Sequence, residues 1–289
     1  MTRCCDALAE LRRRFAAVSA SPALDAELLL AQVLGARRSA LAADPARELA
    51  PAEAAALESL AARRLRGEPL AYLIGRREFW SLELEVTPDV LVPRPETELL
   101  VERALAALAG IPAPAVLDLG TGSGAVALAI ARERPDAAVT AVDASAAALA
   151  VARANAARLA IANVRFRRGS WYAPIAGARF ELVVANPPYL AADDPALAAL
   201  ACEPRAALVS GPTGLEALAR VCAGAPSVLA AGGALLTEHG AGQGAAVRAR
   251  MADAGFTGVA THRDLAGRER VTEGRLPGAA LQSATDPGG

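Results

Sequence analysis

The stretch Val116–Ala131, VLDLGTGSGAVALAIA, is an apolar run that breaks into three closely spaced glycines and resumes as an Ala-rich helical pattern. A short strand, a glycine turn and a helix in immediate succession open a βαβ unit. Toward the carboxyl end the alternation continues through AAVTAVD, SAAALAVARANAARLA, NVRFRRG, FELVVAN, GLEALARVCAGAPSVLA, GALLTEHG and QGAAVRARMADAGF. Short β-rich runs alternating with helical patterns predict a parallel sheet with helices on both faces. RERVTEG is expected to close that sheet as its edge strand. Toward the amino end, EFWSLELEVTPDVLVPRPE is rich in β-formers and predicts a hairpin with its turn near Pro88 and Asp89. Residues 1–75 read as helices: CCDALAELRRRFAAV, then SPALDAELLLAQVLGA with a Ser-Pro start, then the run from Ala50 to Gly67.

A chain of 289 residues can bury a large core and a smaller one beside it. Its net charge of −1, pI near 6.2 and complete lack of Lys give no general pull toward nucleic acid or an anionic membrane. The Arg clusters of the helical segment carry only a small basic surplus and read as a solvated face. No apolar run approaches the ~20 residues of a membrane span, and the charged start MTRCCDALAELRRRF is unlike a signal peptide, so a soluble, cytoplasmic protein is expected. Cys4, Cys5, Cys202 and Cys222 form neither a disulfide framework nor a zinc pattern, and the two His are far apart. No protein-bound metal is expected.

Gly120, Gly122 and Gly124, between a first strand and its helix, let the backbone approach a ligand at the mouth of the sheet. Their G-x-G-x-G spacing is not the dinucleotide fingerprint, and Asp118, two residues earlier, would sit poorly beside a pyrophosphate. A cationic adenosine ligand fits better, and S-adenosylmethionine is one. Asp143 ends the second strand, where an acid accepts hydrogen bonds from ribose hydroxyls; it is also placed to cap the helix that follows Ser145. ELVVANPPYL, Glu181–Leu190, brings Asn186 to a strand's carboxyl end beside the glycine loop. Pro187 and Pro188 stiffen the turn and leave its carbonyls as acceptors, so Asn186 and a proline carbonyl can receive both protons of one planar NH2 group while the Tyr189 ring lies against it. Such a nitrogen is a weak nucleophile, and positioning rather than a strong base would promote its methylation. Trp171, after the third strand, is placed to cover an adenine face and equally to be ordinary core. Arg94 and Glu96 are compatible with a simple helix start, His239 with a packed residue, and Glu203 and Arg205 receive no role.

Asn-Pro-Pro-Tyr behind a glycine loop resembles N-methyltransferases acting on DNA, RNA or protein amino groups. The segments EPLAYLIGRREFWSLELEVTPDVLVPRPETELLVE, LDLGTGSGAVALAIA, VANPPYL, EPRAALVSGPTGLEALAR, GGALLTEHGAGQG and DLAGRERVTEG, in this order, resemble the release-factor glutamine methyltransferase family, HemK-like and PrmC-type, over roughly residues 68–274. The resemblance implies a Rossmann-like class I methyltransferase fold with a seven-stranded mixed sheet, and N5-methylation of the Gly-Gly-Gln glutamine of peptide-chain release factors by S-adenosyl-L-methionine. It places cofactor contacts on Gly120, Thr121, Gly122, Ser123, Gly124, Asp143, Trp171 and Asn186. Catalysis falls on Asn186, Pro187 and Tyr189, and substrate binding on Asn186 through Tyr189 with Arg94 and Glu96. VLVPRPETE favours release factors over a ribosomal protein as substrate, and a neutral chain without a basic groove disfavours a DNA or RNA base. A non-catalytic binding module would be expected to have lost Gly120, Asp143 or Asn186. The expected organisation is a helical substrate-docking domain over residues 1–75, a hairpin linker over 76–93, a catalytic domain over 94–276 and a flexible tail over 277–289. The protein is expected to act as a monomer that contacts neither membrane nor nucleic acid.

Overall fold

The computed structural model describes residues 2–278. The tail expected over 277–289 lies, beyond Gly278, outside the described residues. The described residues divide into two compact units, 2–77 with 86–88, and 78–85 with 89–278.

The first unit holds five helices: α1 Cys4–Phe15, α2 Pro22–Leu34, α3 Arg38–Ala43, α4 Pro51–Leu65 and α5 Leu70–Ile74. Ser21 and Pro22 start α2, as the fixed φ of proline at a first helical position favours, and Gly35 ends it in the left-handed conformation. Glu53 supports the start of α4 by accepting from the Ala50 N–H at 2.9 Å. Leu11 and Phe15, Leu29 and Leu30, and Leu57 and Ala61 recur at helical spacing and meet in a core belonging to this unit alone. Asp25, almost fully buried, is neutralised there by Arg64 at 2.8 Å.

A hairpin, β1 Arg76–Phe79 and β2 Leu82–Glu85, follows. Its turn is Trp80–Ser81, not Pro88–Asp89 as the sequence suggested; the Pro-Asp pair turns the chain separately, after β2. Both central residues have positive φ, 52° and 58°, which a two-residue hairpin needs, yet neither is the Asn or Gly that would announce it. Phe79, Leu82 and Leu84 are buried in the core of the second unit.

That unit continues through a single 3-10 turn at Pro95–Thr97 into α6 Glu98–Ala107, then β3 Ala115–Leu119, α7 Ala125–Glu133, β4 Ala138–Asp143, α8 Ala146–Arg158, β5 Val164–Arg168 and β6 Phe180–Ala185. After the short α9 Arg205–Leu208 come α10 Glu216–Gly224, β7 Leu229–Glu238, α11 Gly244–Asp253, β8 Thr257–Arg263 and β9 Glu269–Arg275. The strands form one seven-stranded sheet ordered β5-β4-β3-β6-β7-β9-β8, parallel from β5 to β7, with β9 antiparallel to both of its neighbours. RERVTEG is therefore not the edge. It enters as β9 between β7 and β8 because Val271 and Thr272 are wholly buried, whereas half-exposed, polar β8 tolerates the edge position. Apolar side chains of β3 alternate between two cores, Val116 on one face and Leu117 and Leu119 with β6 neighbours such as Val183 on the other, as a sheet covered on both sides requires.

Candidate active site

The strand order reverses at β3, so the ends of β4 and β6 flank it. Leu119 is level with Val142 on one side and Ala185 on the other, and Ala185 is level with Thr237 of β7. The next residue of each strand is Gly120, Asp143, Asn186 and Glu238. Four neighbouring strand ends thus present these residues as one row at the carboxyl edge of the sheet, where open α/β sheets bind ligands.

Gly120, Gly122 and Gly124 all have positive φ, 75°, 55° and 86°. The turn they make is tied to β4: Gly120 and Thr121 N–H donate to the Val142 carbonyl at 2.8 and 3.0 Å, and Gly122 N–H donates to Asp143 Oδ2 at 2.9 Å. Asp143 Oδ1 accepts from Ser145 N–H at 2.8 Å, while the Ser145 hydroxyl itself caps α8. Buried Asn155 fixes the far side of the loop by donating to the Ser123 carbonyl at 3.0 Å, and it pairs with the backbone of Glu85 through both ends of its amide.

Beside the loop lies a cavity of about 320 Å³, a volume suited to a small ligand. Its charged lining is Asp89, Asp118 and Asp143 against Arg94. The Arg94 guanidinium is itself engaged by buried Glu203, whose other oxygen accepts from Val92 N–H at 3.1 Å. Asp118 is buried with Oδ2 unpartnered among the described residues. Burial, reinforced by the charge of Asp143, pushes its carboxyl up to about 7. An acid-rich cavity with an orphaned buried carboxylate oxygen fits a ligand carrying positive charge. Trp171 lines the same cavity, half-buried at a positive φ of 51°, and packs against the core beneath it.

At the next strand end, Asn186 Nδ2 donates to Thr97 Oγ1 at 3.2 Å. Among the described residues no protein donor reaches Asn186 Oδ1 or the Pro187 and Pro188 carbonyls, which leaves three acceptors in one turn. The Tyr189 carbonyl accepts from Gln243 Nε2 at 2.9 Å, and a Cβ on Gly214 would stand 2.5 Å from that same oxygen. The Tyr189 hydroxyl donates to Glu238 Oε1 at 3.4 Å, and burial holds its pKa well above the ordinary phenol value. Glu238 is wholly buried with Oε2 unpartnered, and burial pushes its carboxyl up to about 7. His239 is also buried, between the Gly240 carbonyl at 2.9 Å and Thr272 Oγ1 at 2.8 Å, and burial lowers its pKa. It is a packed residue.

Residues 6–75 match the family described as PrmC N-terminal domain, and residues 95–213 the methyltransferase small domain. A release factor glutamine methyltransferase of Pseudomonas aeruginosa is 51% identical over 260 residues, covering 89% of this chain and 94% of the relative. One from Burkholderia pseudomallei is 53% identical over 269 residues, covering 90% and 94%. The chain belongs to the release factor glutamine methyltransferase family. Solved structures agree on the fold: a Pyrococcus furiosus methyltransferase superposes with a TM-score of 0.51 at 20% identity, covering 75% of this chain and 97% of that one. A T. thermophilus 16S rRNA N2 G1207 methyltransferase, solved with AdoMet and guanosine, also gives 0.51, at 19% identity and 70% and 49% coverage.

Among the residues that the family resemblance singled out, Gly120, Thr121, Gly122, Ser123, Asp143 and Trp171 line the cavity, and so do Asn186, Pro188 and Arg94. Gly124, Pro187, Tyr189 and Glu96 do not. A Cβ on Gly124 would meet Leu128 and Ala152 at 3.0 and 3.3 Å, so this glycine serves the packing of α7 on α8. Pro187 is buried, and the charge of half-buried Glu96 acts on Tyr189 and Glu238. Sequence reasoning gave no role to Glu203, Gly214, Glu238 or Gln243. Their one signal was membership of the segments EPRA, GPTG, TEHG and GAGQG, which carried no chemistry until the fold brought them together. Among the described residues no group of three His, Cys, Asp or Glu could hold a metal, and no helix is long and apolar enough to cross a membrane.

Proposed function

We propose that the protein methylates N5 of the glutamine in the Gly-Gly-Gln motif of peptide-chain release factors, using S-adenosyl-L-methionine, as a cytoplasmic monomer. The observation that carries the reading is the row of strand ends, which sets Asn186, with a free Oδ1, beside the acid-lined cavity. When bound, the cofactor supplies an electrophilic methyl group on a positively charged sulfur. The glycine loop and Asp143 would hold its adenosine, Trp171 its adenine face, and Asp118 its cationic end.

The remaining work belongs to the substrate amide. Its nitrogen lone pair is delocalised into the carbonyl and must be aimed at the methyl carbon. Asn186 Oδ1 and a proline carbonyl, fixed by a turn with two prolines, accept its two N–H bonds and leave the lone pair as the only unbound direction. Such alignment is a positional contribution and requires no strong base in the bond-forming step. The nitrogen becomes acidic once methylated, and its proton can leave to the same acceptors or to water. No histidine lies in the cavity lining.

For the helical unit we propose substrate docking, supported by its match to the PrmC N-terminal domain. A free Gly-Gly-Gln peptide should then show a much higher KM than an intact release factor at similar kcat. Equal KM values would remove that role. The reaction itself is tested by mass spectrometry of unmethylated release factor incubated with the protein and cofactor, beside ribosomal proteins and DNA. One methyl on the Gly-Gly-Gln glutamine, absent with Asn186→Ala, is expected. A methyl only on a ribosomal protein or a base would overturn the substrate, and none on any of them would overturn the activity.

A further inference from the structure

The Asn-Pro-Pro-Tyr turn is held at its upstream end by β6, whose last residue, Ala185, is level with Leu119 on one side and Thr237 on the other. What holds its downstream end lies outside the cavity lining. Of the carbonyls of Pro187, Pro188 and Tyr189, only that of Tyr189 meets a protein donor among the described residues, and the donor is Gln243 Nε2 at 2.9 Å. We propose that Gln243 is a positioning residue for methyl transfer: its amide, locked in one orientation, anchors the Tyr189 carbonyl and so fixes where Asn186 Oδ1 and the proline carbonyls stand relative to one another.

The orientation follows from the neighbours. Gln243 directly precedes α11, in a turn closed by two bonds between the same pair of residues. Gln243 N–H donates to the Gly240 carbonyl at 2.9 Å, and Gly240 N–H donates to Gln243 Oε1 at 2.9 Å. The amide oxygen is thereby tied to its own turn, and the NH2 group is aimed at two carbonyls, Tyr189 at 2.9 Å and Gly214 at 3.4 Å. Rotated by half a turn, the amide would set its NH2 against the Gly240 N–H and its oxygen against both carbonyls, so all three contacts would become repulsive. Every partner is a backbone group and cannot exchange donor for acceptor.

Only two prolines separate Asn186 from Tyr189, and their rings lock φ, so few torsions decide the course of the turn. With one end set by the sheet and the other by Tyr189, those torsions are determined. Leu190, the next residue, is paired on both sides: its N–H donates to the Leu208 carbonyl and its carbonyl accepts from Ser210 N–H, each at 2.9 Å. Gly214 closes in on the same place, since a Cβ there would stand 2.5 Å from the Tyr189 carbonyl oxygen and 3.0 Å from the Ala191 nitrogen. Steric contact thus sets how near the Tyr189 carbonyl lies to Gly214, and the Gln243 bond sets where it points. Without the Nε2 donor that carbonyl is unpaired and free to turn, and the proline carbonyls turn with it.

The kinetic part of the inference rests on the glutamine-methylation reading; the bond is measurable without substrate. The chain has three Tyr, so protein labelled with 13C at the tyrosine carbonyl gives three such resonances, and Tyr189→Phe identifies one of them. Gln243→Glu keeps the acceptor for Gly240 N–H and removes both donors, whereas Gln243→Met, of similar length, removes acceptor and donors together. The Tyr189 resonance should move upfield in both variants, as a carbonyl losing a hydrogen bond does, while those of Tyr72 and Tyr172 stay in place. With release factor as substrate, both variants should lose roughly 10- to 100-fold in kcat, as a displaced positioning group does. Affinity for S-adenosylmethionine, by calorimetry, and KM for release factor should stay within about threefold. If Gln243 only closed its own turn, Gln243→Glu would behave as the wild type and Gln243→Met alone would fail. That outcome, an unmoved Tyr189 resonance, or cofactor affinity falling in step with kcat would each overturn the proposal. Should the wild type methylate another amino group and not release factor, kcat is read on that substrate, and its loss in both variants would uphold the positioning role while overturning the assigned substrate. A wild type that methylates nothing would overturn both.

Discussion

Asn186 and Asp143 occupy equivalent places at the ends of β6 and β4, yet their bonds give them separate tasks. Asp143 holds Gly122 and Ser145 and so shapes the cofactor side; Asn186 holds only Thr97 and keeps an acceptor free. Asn186→Ala is therefore expected to lower kcat by roughly 100-fold or more with cofactor affinity nearly intact, whereas Asp143→Ala weakens cofactor binding first. Calorimetry decides: equal loss of affinity in both variants would refute the division. Gly214 offers a sterically stricter case, since its φ of +75° and the 2.5 Å approach of the Tyr189 carbonyl leave a side chain no room. Gly214→Ala should cost at least ~1–2 kcal/mol in stability and lower kcat by shifting Tyr189. An unchanged Tm with full activity would contradict it. Asp143 and Asn186 were legible because each ends an apolar run that fixes its place in the sheet. Gln243 was not, because its value lies in a bond to a carbonyl 54 positions earlier, and no local pattern encodes a contact over that span.

The alternation of strand and helix from Ala115 onward made the parallel sheet readable, since each element carries its own period and its own turn residues. Two elements escaped. β8, TGVATHR, mixes exposed and half-buried positions without a clean alternation, so it carries no strand signal of its own and the sequence pattern leaves β9 at the edge. The hairpin turn escaped because Trp80 and Ser81 adopt left-handed φ without being residues that favour it. That mismatch should be correctable. Ser81 sits at the second central position, where glycine pays no steric penalty, and its N–H bond to Glu78 at 2.7 Å involves only backbone on the Ser81 side. Ser81→Gly is expected to stabilise the protein by a few tenths to ~1 kcal/mol, the relieved strain exceeding the extra freedom of the unfolded chain. A thermal scan should show Tm raised by about 1–4 °C, and a lowered Tm would mean that the left-handed turn is not strained.

Across the whole molecule, the surface ion pairs and the two buried site acids respond to pH in opposite directions. Asp6, Glu53 and Glu58 are held below their usual range mainly by hydrogen bonds from arginines, so the stability they add is present at neutral pH and fades in acid. These pairs are exposed and individually weak. Asp118 and Glu238 are raised by burial to about 7, from 3.8 and 4.5. Each favours the folded state fully below its unfolded pKa, and that contribution is lost as pH rises toward and through 7, on the order of 3–4 kcal/mol for each group. The ligand-free protein should therefore lose Tm between about pH 5 and pH 7.5, with Asp118→Asn flattening the slope. The same charge that destabilises the empty site would attract a cationic ligand, so S-adenosylmethionine at a fixed saturating concentration should raise Tm more at pH 7.5 than at pH 6. In Asp118→Asn the two increments should converge. Equal increments at both pH values in the wild type would mean that the Asp118 carboxylate does not meet the ligand's positive charge, and the cationic end would have to be sought beside Asp143 or Asp89.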